Sequence, residues 1–76
     1  MVNVVLPELG EGIDKAVISY WYFGKGDKVI EKDDLLEVST DKATFNIPSP
    51  CAGVLQEIFF HEGDSVNIGE VLAVIE

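Results

Sequence analysis

The sequence predicts an all-β fold, a flattened barrel or sandwich of two small antiparallel sheets related by a pseudo-two-fold axis, with a lysine at a hairpin tip. Three observations predict it. Short apolar runs rich in Val, Ile, Phe and Tyr alternate with turns containing Gly, Pro or Asp, and no segment shows a sustained helical period with caps. The chain also repeats itself, and one segment fits a hairpin with one apolar and one polar face.

The apolar runs, taken in order, define six strands and two shorter extended pieces. The strands are predicted at Val2–Leu6, Ala16–Phe23, Leu35–Thr40, Ala43–Ile47, Gly53–Phe60 and Val71–Ile75, with short extended pieces near Val29 and Val66. The aromatic residues Trp21, Phe45, Phe59 and Phe60 are expected in the core. The length of 76 residues leaves room for one domain, residues 1–76.

A shift of 37 residues superposes the two halves of the chain. It pairs Val17 with Val54, Gly26 with Gly63, Asp27 with Asp64, Val29 with Val66 and Leu35 with Leu72. Both halves read as strand, Gly-Asp turn, short strand, strand. Each half alone would expose an apolar face, so we expect the halves to pack as two sheets.

The hairpin prediction starts from Asp41 and Lys42 as a two-residue turn. Pairing outward from the turn puts Leu36, Val38, Phe45 and Ile47 on one face and Glu37, Ser39, Thr44 and Asn46 on the other. A shift of one residue would mix the two faces, so burial fixes the register. The pattern therefore places Lys42 at the tip.

The tip residues are unusual for such a turn, because two-residue hairpins favour Asn-Gly or Asp-Gly, which accept positive φ. From the pattern alone, an ordinary solvated lysine is the base expectation for Lys42. A tip lysine nevertheless suits covalent modification, since its amine is accessible and its stem is flexible. Acylation there would remove a charge without breaking a buried contact.

The composition excludes several classes of function. The chain has 14 acidic residues, 5 lysines and no arginine, and its net charge of −9 disfavours nucleic acid and anionic membrane surfaces as partners. No apolar run approaches the ~20 residues of a membrane span, and the first residues lack the features of a signal peptide. Cys51 and His61 are the only residues of their types, so neither an intrachain disulfide nor a Cys/His metal cluster is expected.

An ordered set of short motifs covers essentially the whole chain. The motifs are Leu6-Pro7-Glu8-Leu9-Gly10-Glu11-Gly12-Ile13, Gly26-Asp27, Thr40-Asp41-Lys42-Ala43, Ile47-Pro48-Ser49-Pro50, Gly53-Val54 and Gly63-Asp64-Ser65-Val66. This set resembles the lipoyl domain, of the biotinyl/lipoyl type, of the acyltransferase component of 2-oxo acid dehydrogenase complexes. The sequence departs from that family at Ser39, where a glutamate is common, and at Lys32, where an acid or a glycine is common.

The resemblance implies the chemistry of the site. It implies that Lys42 bears (R)-lipoic acid in amide linkage. It also implies recognition roles for Asp41 and Ala43 beside the lysine and for the loop residues Glu8, Gly10, Glu11, Gly12 and Ile13. The chain is then a non-catalytic carrier, and the dihydrolipoamide acyltransferase domain of the longer native chain does the catalysis.

The resemblance also implies the partners. They are a thiamine-dependent 2-oxo acid decarboxylase, the acyltransferase catalytic core, dihydrolipoamide dehydrogenase, and a lipoate ligase or lipoyl transferase. We expect a monomeric domain in the bacterial cytoplasm, with the mitochondrial matrix as the alternative.

Several alternatives stay open. The motifs Gly-Glu-Gly-Ile and Ile-Pro-Ser-Pro look more like pyruvate or branched-chain complexes than 2-oxoglutarate ones, so a pyruvate dehydrogenase complex is the first expectation and a branched-chain complex the alternative. A biotin carrier domain has a related fold but places methionines beside its lysine, where this chain has Asp41 and Ala43. The lipoylated carrier of glycine cleavage is longer and carries helices. An interaction module without modification would need no tip lysine.

Overall fold

The computed structural model describes all residues, 1–76, and its regular structure consists of eight strands. The strands are β1 (Val2–Val5), β2 (Lys15–Trp21), β3 (Lys28–Val29), β4 (Asp34–Ser39), β5 (Thr44–Pro48), β6 (Gly53–Ile58), β7 (Ser65–Asn67) and β8 (Val71–Ile75). The tip sheet has the order β5-β4-β2-β7, the terminal sheet has the order β1-β8-β6-β3, and every pairing is antiparallel. The predicted fold class is confirmed. The structure has no helix long and apolar enough to cross a membrane.

The internal repeat appears in the structure as a correspondence between the two sheets. The two sheets have the same order of equivalent strands: β5 corresponds to β1, β4 to β8, β2 to β6, and β7 to β3. The equivalent turns also make equivalent hydrogen bonds. The Asp27 carboxylate accepts from the Gly24 backbone N–H at 2.7 Å, and the Asp64 carboxylate accepts from the His61 backbone N–H at 2.8 Å. The predicted relation between the two sheets therefore extends to single side chains. The expectation that each half forms one sheet was wrong, because each sheet takes two strands from each half of the chain.

The core lies between the two sheets and draws apolar side chains from both. Its buried members are Val4, Leu6, Ala16, Ile18, Val29, Leu35, Leu36, Val38, Ile47, Leu55, Val66, Leu72, Ala73 and Ile75. Complete burial of one such aliphatic side chain stabilises the fold by roughly 1.5–3 kcal/mol, so this cluster is the main source of stability in a chain with a single cysteine.

Three of the four aromatic residues expected in the core pack against it, and one does not. Trp21, Phe45 and Phe60 are half-buried at its margin. Phe59 is 53% exposed, so its predicted place in the core was wrong. Neighbouring residues of an extended chain point to opposite sides, and Phe60 occupies the inward position here.

The predicted strands agree with the observed ones to within two residues at each end. The largest differences are at the ends of β2 and β6, which stop at Trp21 and Ile58 instead of continuing for two more residues. Beyond these ends only isolated bonds follow, from the Tyr22 N–H to the Leu35 carbonyl and from the Phe59 N–H to the Leu72 carbonyl.

The β4–β5 hairpin has the predicted register. Leu36 pairs with Ile47, Val38 with Phe45, Glu37 with Asn46 and Ser39 with Thr44. Leu36, Val38 and Ile47 are buried, and Phe45 is half-buried at the edge of the same face. The hairpin therefore ends at Asp41 and Lys42.

The strand directions place the hairpin tip and the chain termini at opposite ends of a molecule 32 Å long. β2 begins beside the tip, and β7 pairs with that first part of β2. The Ile68 N–H donates to the Asp14 carbonyl at 2.9 Å, which brings the start of β8 to the same end. β8 then runs away from the tip to Ile75, which pairs with Val2. A segment joined to either terminus thus leaves the molecule far from Lys42.

Candidate functional site at the hairpin tip

The tip turn is held by the side chain of the threonine that precedes it. The Thr40 hydroxyl accepts from the backbone N–H of Lys42 at 3.2 Å and from that of Ala43 at 3.1 Å. The same hydroxyl donates to the Ala43 carbonyl at 3.1 Å, and the Thr40 N–H donates to that carbonyl at 2.8 Å. Neither Asp41 nor Lys42 has a positive φ. A side-chain oxygen therefore fixes a turn that lacks the residues usual for its length.

The amine of Lys42 is free of protein partners. The residue is exposed, and its side chain makes neither a hydrogen bond nor an ion pair. The one ion pair within 4.0 Å in the molecule joins Lys25 to Glu57. An acyl group on the Lys42 Nζ would consequently displace no existing contact, and the Thr40 bonds would hold the backbone from which it extends.

Ser39, the residue where the resemblance leads one to expect a glutamate, has a local partner. Its hydroxyl is hydrogen-bonded to that of Ser19 on the neighbouring strand, in a part-buried position. A glutamate at this point would place a carboxylate over β2 next to the tip. The serine pair instead ties β4 to β2, and Asp41 is the only acidic residue within four positions of Lys42 in the sequence.

A cleft of about 440 Å³ separates the tip from the first part of β2 and the loop before it. Its lining residues are Gly12, Ile13, Asp14, Lys15, Ala16, Val17, Ser39, Thr40, Asp41 and Ser65. The loop turns through a bond from the Ile13 N–H to the Gly10 carbonyl at 3.2 Å. Gly12 has a φ of 80°, which strains any residue with a Cβ atom.

The cleft brings together some of the predicted recognition residues and leaves others apart. Gly12 and Ile13 line it together with Asp41. The remaining predicted recognition residues, Glu8, Gly10, Glu11 and Ala43, are exposed but do not line it. The structure therefore gives Gly12 and Ile13 a place beside the tip, and the roles of all these residues stay predictions.

The sequence prediction missed two contributions to the site. The first is the role of the Thr40 hydroxyl in the turn, for which the only sequence signal is the tendency of threonine to hydrogen-bond to nearby backbone groups. Lys15 and Ser65 line the cleft because β2 pairs with β7. The paired residues, such as Ala16 and Val66, are 50 positions apart in the chain, and no local sequence pattern indicates that pairing.

Comparison with known proteins identifies the family. The biotin/lipoyl family, described as "Biotin-requiring enzyme", matches residues 2–75. The chain belongs to the biotin/lipoyl family. This membership agrees with the biotinyl/lipoyl type that the resemblance predicted.

Among biotin/lipoyl relatives, the chain is similar to parts of two kinds of acyltransferase. It is 48% identical over 73 residues to the dihydrolipoyllysine-residue acetyltransferase component of the pyruvate dehydrogenase complex of Corynebacterium glutamicum, covering 96% of this chain and 11% of that protein. It is 39% identical over 74 residues to the dihydrolipoyllysine-residue succinyltransferase component of the 2-oxoglutarate dehydrogenase complex of Rickettsia conorii, covering 97% of this chain and 19% of that protein. The chain thus spans less than a fifth of the length of either relative.

Solved structures of the family have the same fold. The lipoyl domain of the 2-oxoglutarate dehydrogenase complex from Azotobacter vinelandii superposes with a TM-score of 0.80 at 26% identity, covering 100% of this chain and 96% of that one. The urea carboxylase of Kluyveromyces lactis also gives a TM-score of 0.80, at 20% identity, with 96% of this chain and 6% of that one covered, and shows the fold alone. The resemblance to lipoyl domains of 2-oxo acid dehydrogenase acyltransferases is confirmed.

Proposed function

We propose that this chain is a lipoyl carrier domain that bears lipoic acid in amide linkage on Lys42, within the acyltransferase chain of a pyruvate dehydrogenase complex. The observation that supports it most is the tip itself. Lys42 is exposed, its amine has no partner, and the Thr40 hydroxyl fixes the backbone on both sides of the turn. The backbone that carries this lysine is thus presented to a modifying enzyme in one conformation, while the side-chain stem stays flexible.

The residues at the tip fit a covalently attached acyl group. The Lys42 Nζ would form the amide bond, and the loss of its charge would break no ion pair. The dithiolane, when attached, supplies redox and acyl-carrying chemistry that no protein side chain here supplies. The chain itself contributes a rigid support, an exposed attachment atom and the surfaces that partners recognise.

The choice of a pyruvate complex rests on two observations. One pyruvate-type relative reaches 48% identity, while another pyruvate-type relative, at 39%, is no more similar than the 2-oxoglutarate-type relatives, at 39–40%. The motifs Gly10-Glu11-Gly12-Ile13 and Ile47-Pro48-Ser49-Pro50 favour pyruvate or branched-chain complexes. A branched-chain complex is the alternative within this class.

In this role the chain acts as a carrier and leaves catalysis to its partners. They are the thiamine-dependent decarboxylase, the acyltransferase core, dihydrolipoamide dehydrogenase and the ligase or transferase that attaches the lipoyl group. A linker after Glu76 would tether the domain at the end opposite Lys42. Tethering raises the effective concentration of the arm at each partner, and the linker stays clear of the tip.

The second candidate is a biotin carrier domain, because the matching family is described as "Biotin-requiring enzyme". The flanks Asp41 and Ala43 favour lipoate over biotin. Co-expression of the chain with a lipoate ligase, and separately with a biotin ligase, separates the two by intact mass. We expect one lipoyl adduct in the first case and no adduct in the second, and the reverse result would assign a biotin carrier.

The identity of the complex is tested by reductive acylation. The lipoylated domain is incubated with purified decarboxylases of the pyruvate, branched-chain and 2-oxoglutarate types, each with its own 2-oxo acid. We expect the pyruvate-type enzyme to give the highest kcat/KM. A higher value with either other enzyme would reassign the complex while leaving the carrier function intact.

A further inference from the structure

The outer face of the tip sheet carries two exposed tyrosines in a fixed arrangement. Tyr20 is 53% exposed and Tyr22 is 44% exposed, and their rings meet edge to face at 5.2 Å and 72°. The Tyr22 hydroxyl donates to the Asn46 side-chain carbonyl at 3.1 Å. The Asn46 amide group in turn donates to the Asp34 carboxylate at 3.3 Å. These contacts hold an exposed aromatic pair in one geometry.

Acidic side chains complete this surface. Glu37 pairs with Tyr20 on one side and with Asn46 on the other. Partial burial, followed by the carboxylates of Glu37 and Asp34, raises the pKa of Tyr22 above its ordinary value, so the phenol stays a neutral donor. We call the five residues Tyr20, Tyr22, Asp34, Glu37 and Asn46 the tyrosine face. It contains no cationic side chain.

The pseudo-two-fold axis supplies an internal comparison for the tyrosine face. The equivalent positions on the terminal sheet are Glu57 for Tyr20, Phe59 for Tyr22, Val71 for Asp34, Val74 for Glu37 and Asn3 for Asn46. The terminal sheet folds in the same way although it lacks both tyrosines and has valine at the positions equivalent to Asp34 and Glu37. The fold alone therefore does not require the tyrosine face.

We propose that the tyrosine face is a docking surface for an arginine- or lysine-bearing surface of the decarboxylase that charges the Lys42 arm. This proposal rests on the proposed carrier function. A guanidinium or ammonium group gains by stacking on exposed tyrosine rings and by pairing with the neighbouring carboxylates of Glu37 and Asp34. The net charge of −9 steers the domain toward a cationic surface, and tyrosines are enriched where proteins bind one another.

The position of the tyrosine face suits docking beside the arm. β4 continues from Glu37 to Ser39 and leads directly into the tip, so Asp41 lies four positions beyond Glu37, an extended distance of about 13 Å. A partner seated on the face would stand next to Lys42 without covering it. The arm could then reach into the partner's active site while the domain stays bound.

The test measures reductive acylation of lipoylated variants by the thiamine-dependent decarboxylase that charges the wild-type domain best. Tyr22→Ser and Glu37→Gln change the tyrosine face. Phe59→Ser and Glu57→Gln are the controls on the terminal sheet, where the first removes the exposed ring at the position equivalent to Tyr22 and the second neutralises one carboxylate. Because Glu37→Gln keeps the shape of the side chain, it separates loss of charge from loss of folding, and thermal melts check each variant.

We expect each change on the tyrosine face to lower kcat/KM about tenfold, mainly through a higher KM. The matched changes on the terminal sheet should alter kcat/KM less than twofold, in line with the small effects of distant surface changes. The fall of kcat/KM with ionic strength should be less steep for Glu37→Gln than for wild type. The rate of lipoylation by the ligase should be the same for all variants.

Three results would overturn the proposal. They are unchanged kinetics in both face variants, an equal loss in the terminal-sheet controls, and a wild-type kcat/KM that does not depend on ionic strength. Failure of the proposed function is distinguishable, because the wild-type domain would then accept no lipoyl group or would not be charged by any decarboxylase. That result would overturn the docking proposal as well.

Discussion

At the scale of single residues, Thr40 gives the tip its shape. Two-residue hairpins usually reach their geometry through residues that accept positive φ, and Asp41 and Lys42 do not adopt it. The Thr40 hydroxyl instead accepts from the backbone N–H groups of Lys42 and Ala43. The conformation of the lysine backbone therefore depends on one side-chain oxygen two residues earlier in the chain.

Replacing Thr40 with valine keeps the shape of the side chain and removes that oxygen. We expect hydrogen exchange at the Lys42 and Ala43 amides to rise about fivefold, the change that follows from losing about 1 kcal/mol of hydrogen bonding. The kcat/KM for lipoylation should fall, because the turn then samples other conformations. Thr40→Ser is the control and should restore both values. Equal exchange rates in wild type and Thr40→Val would contradict this role.

The sequence predicted the place of Lys42 better than the means by which it is held. Pairing outward from Asp41-Lys42 separates apolar from polar residues cleanly, and this pattern alone located the tip. The hydroxyl contacts of Thr40 were not predicted, because several residue types tolerate such a turn and the choice among them depends on local geometry. The meeting of Gly12 and Asp41 at one cleft depends on how distant strands pair, which no local pattern specifies.

At the scale of elements, the β4–β5 hairpin shows how burial specifies a strand pair. Val38 is fully buried, and Glu37 next to it faces outward and is half-buried. A slip of one residue would exchange these environments and place a carboxylate in the core. The cost of that exchange explains why alternation in the sequence predicted the register correctly.

Val38→Ala should destabilise the domain by roughly 1–3 kcal/mol, because it leaves a cavity in a close-packed core. Glu37→Ala should cost less than about 0.5 kcal/mol, since the residue faces outward. Urea denaturation of both variants measures the two values. A larger loss for Glu37→Ala would show that the faces of the hairpin are assigned the wrong way round.

The ends of β2 and β6 were harder to predict than the hairpin. The runs continue as apolar sequence through Phe23 and Phe60, yet the strands stop at Trp21 and Ile58. The register of β2 against β4 also shifts between Ile18 and Tyr20, an irregularity that strict alternation cannot anticipate. Such irregularities turn side chains such as Tyr20 outward, and no sequence pattern indicated an exposed aromatic pair.

At the scale of the whole molecule, the repeat relates the two sheets and also reveals where they differ. Lys32 and Gly69 occupy equivalent positions, 37 residues apart, and both have positive φ, at 75° and 93°. Lys32 is the only residue other than glycine in that region. A Cβ atom is disfavoured there, so the first half of the chain carries strain that the second half avoids.

Lys32→Gly should therefore stabilise the domain by about 0.5–1 kcal/mol, which is the relief of strain less the greater freedom of glycine in the unfolded chain. Lys32→Ala removes the same amine but keeps a Cβ atom, so it should show no such gain. The reciprocal change Gly69→Lys should be destabilising by a similar amount. Chemical denaturation of the three variants tests this, and equal stability of Lys32→Gly and Lys32→Ala would show that backbone strain is not the cause.

The same symmetry places the chain termini and the lysine tip at opposite ends of the molecule. The termini lie in one sheet at one end of the molecule, and the lysine tip lies in the other sheet at the opposite end. The repeat in the sequence predicted this arrangement, since an axis relating the halves also relates the hairpin tip to the chain ends.

The central claim is that Lys42 alone accepts the lipoyl group, and peptide mass mapping after co-expression with a lipoate ligase tests it most directly. We expect the adduct on the peptide containing Lys42 and no adduct in Lys42→Arg, which keeps the charge but removes the acylatable amine. An adduct on Lys15, Lys25, Lys28 or Lys32, or an adduct that persists in Lys42→Arg, would contradict the account.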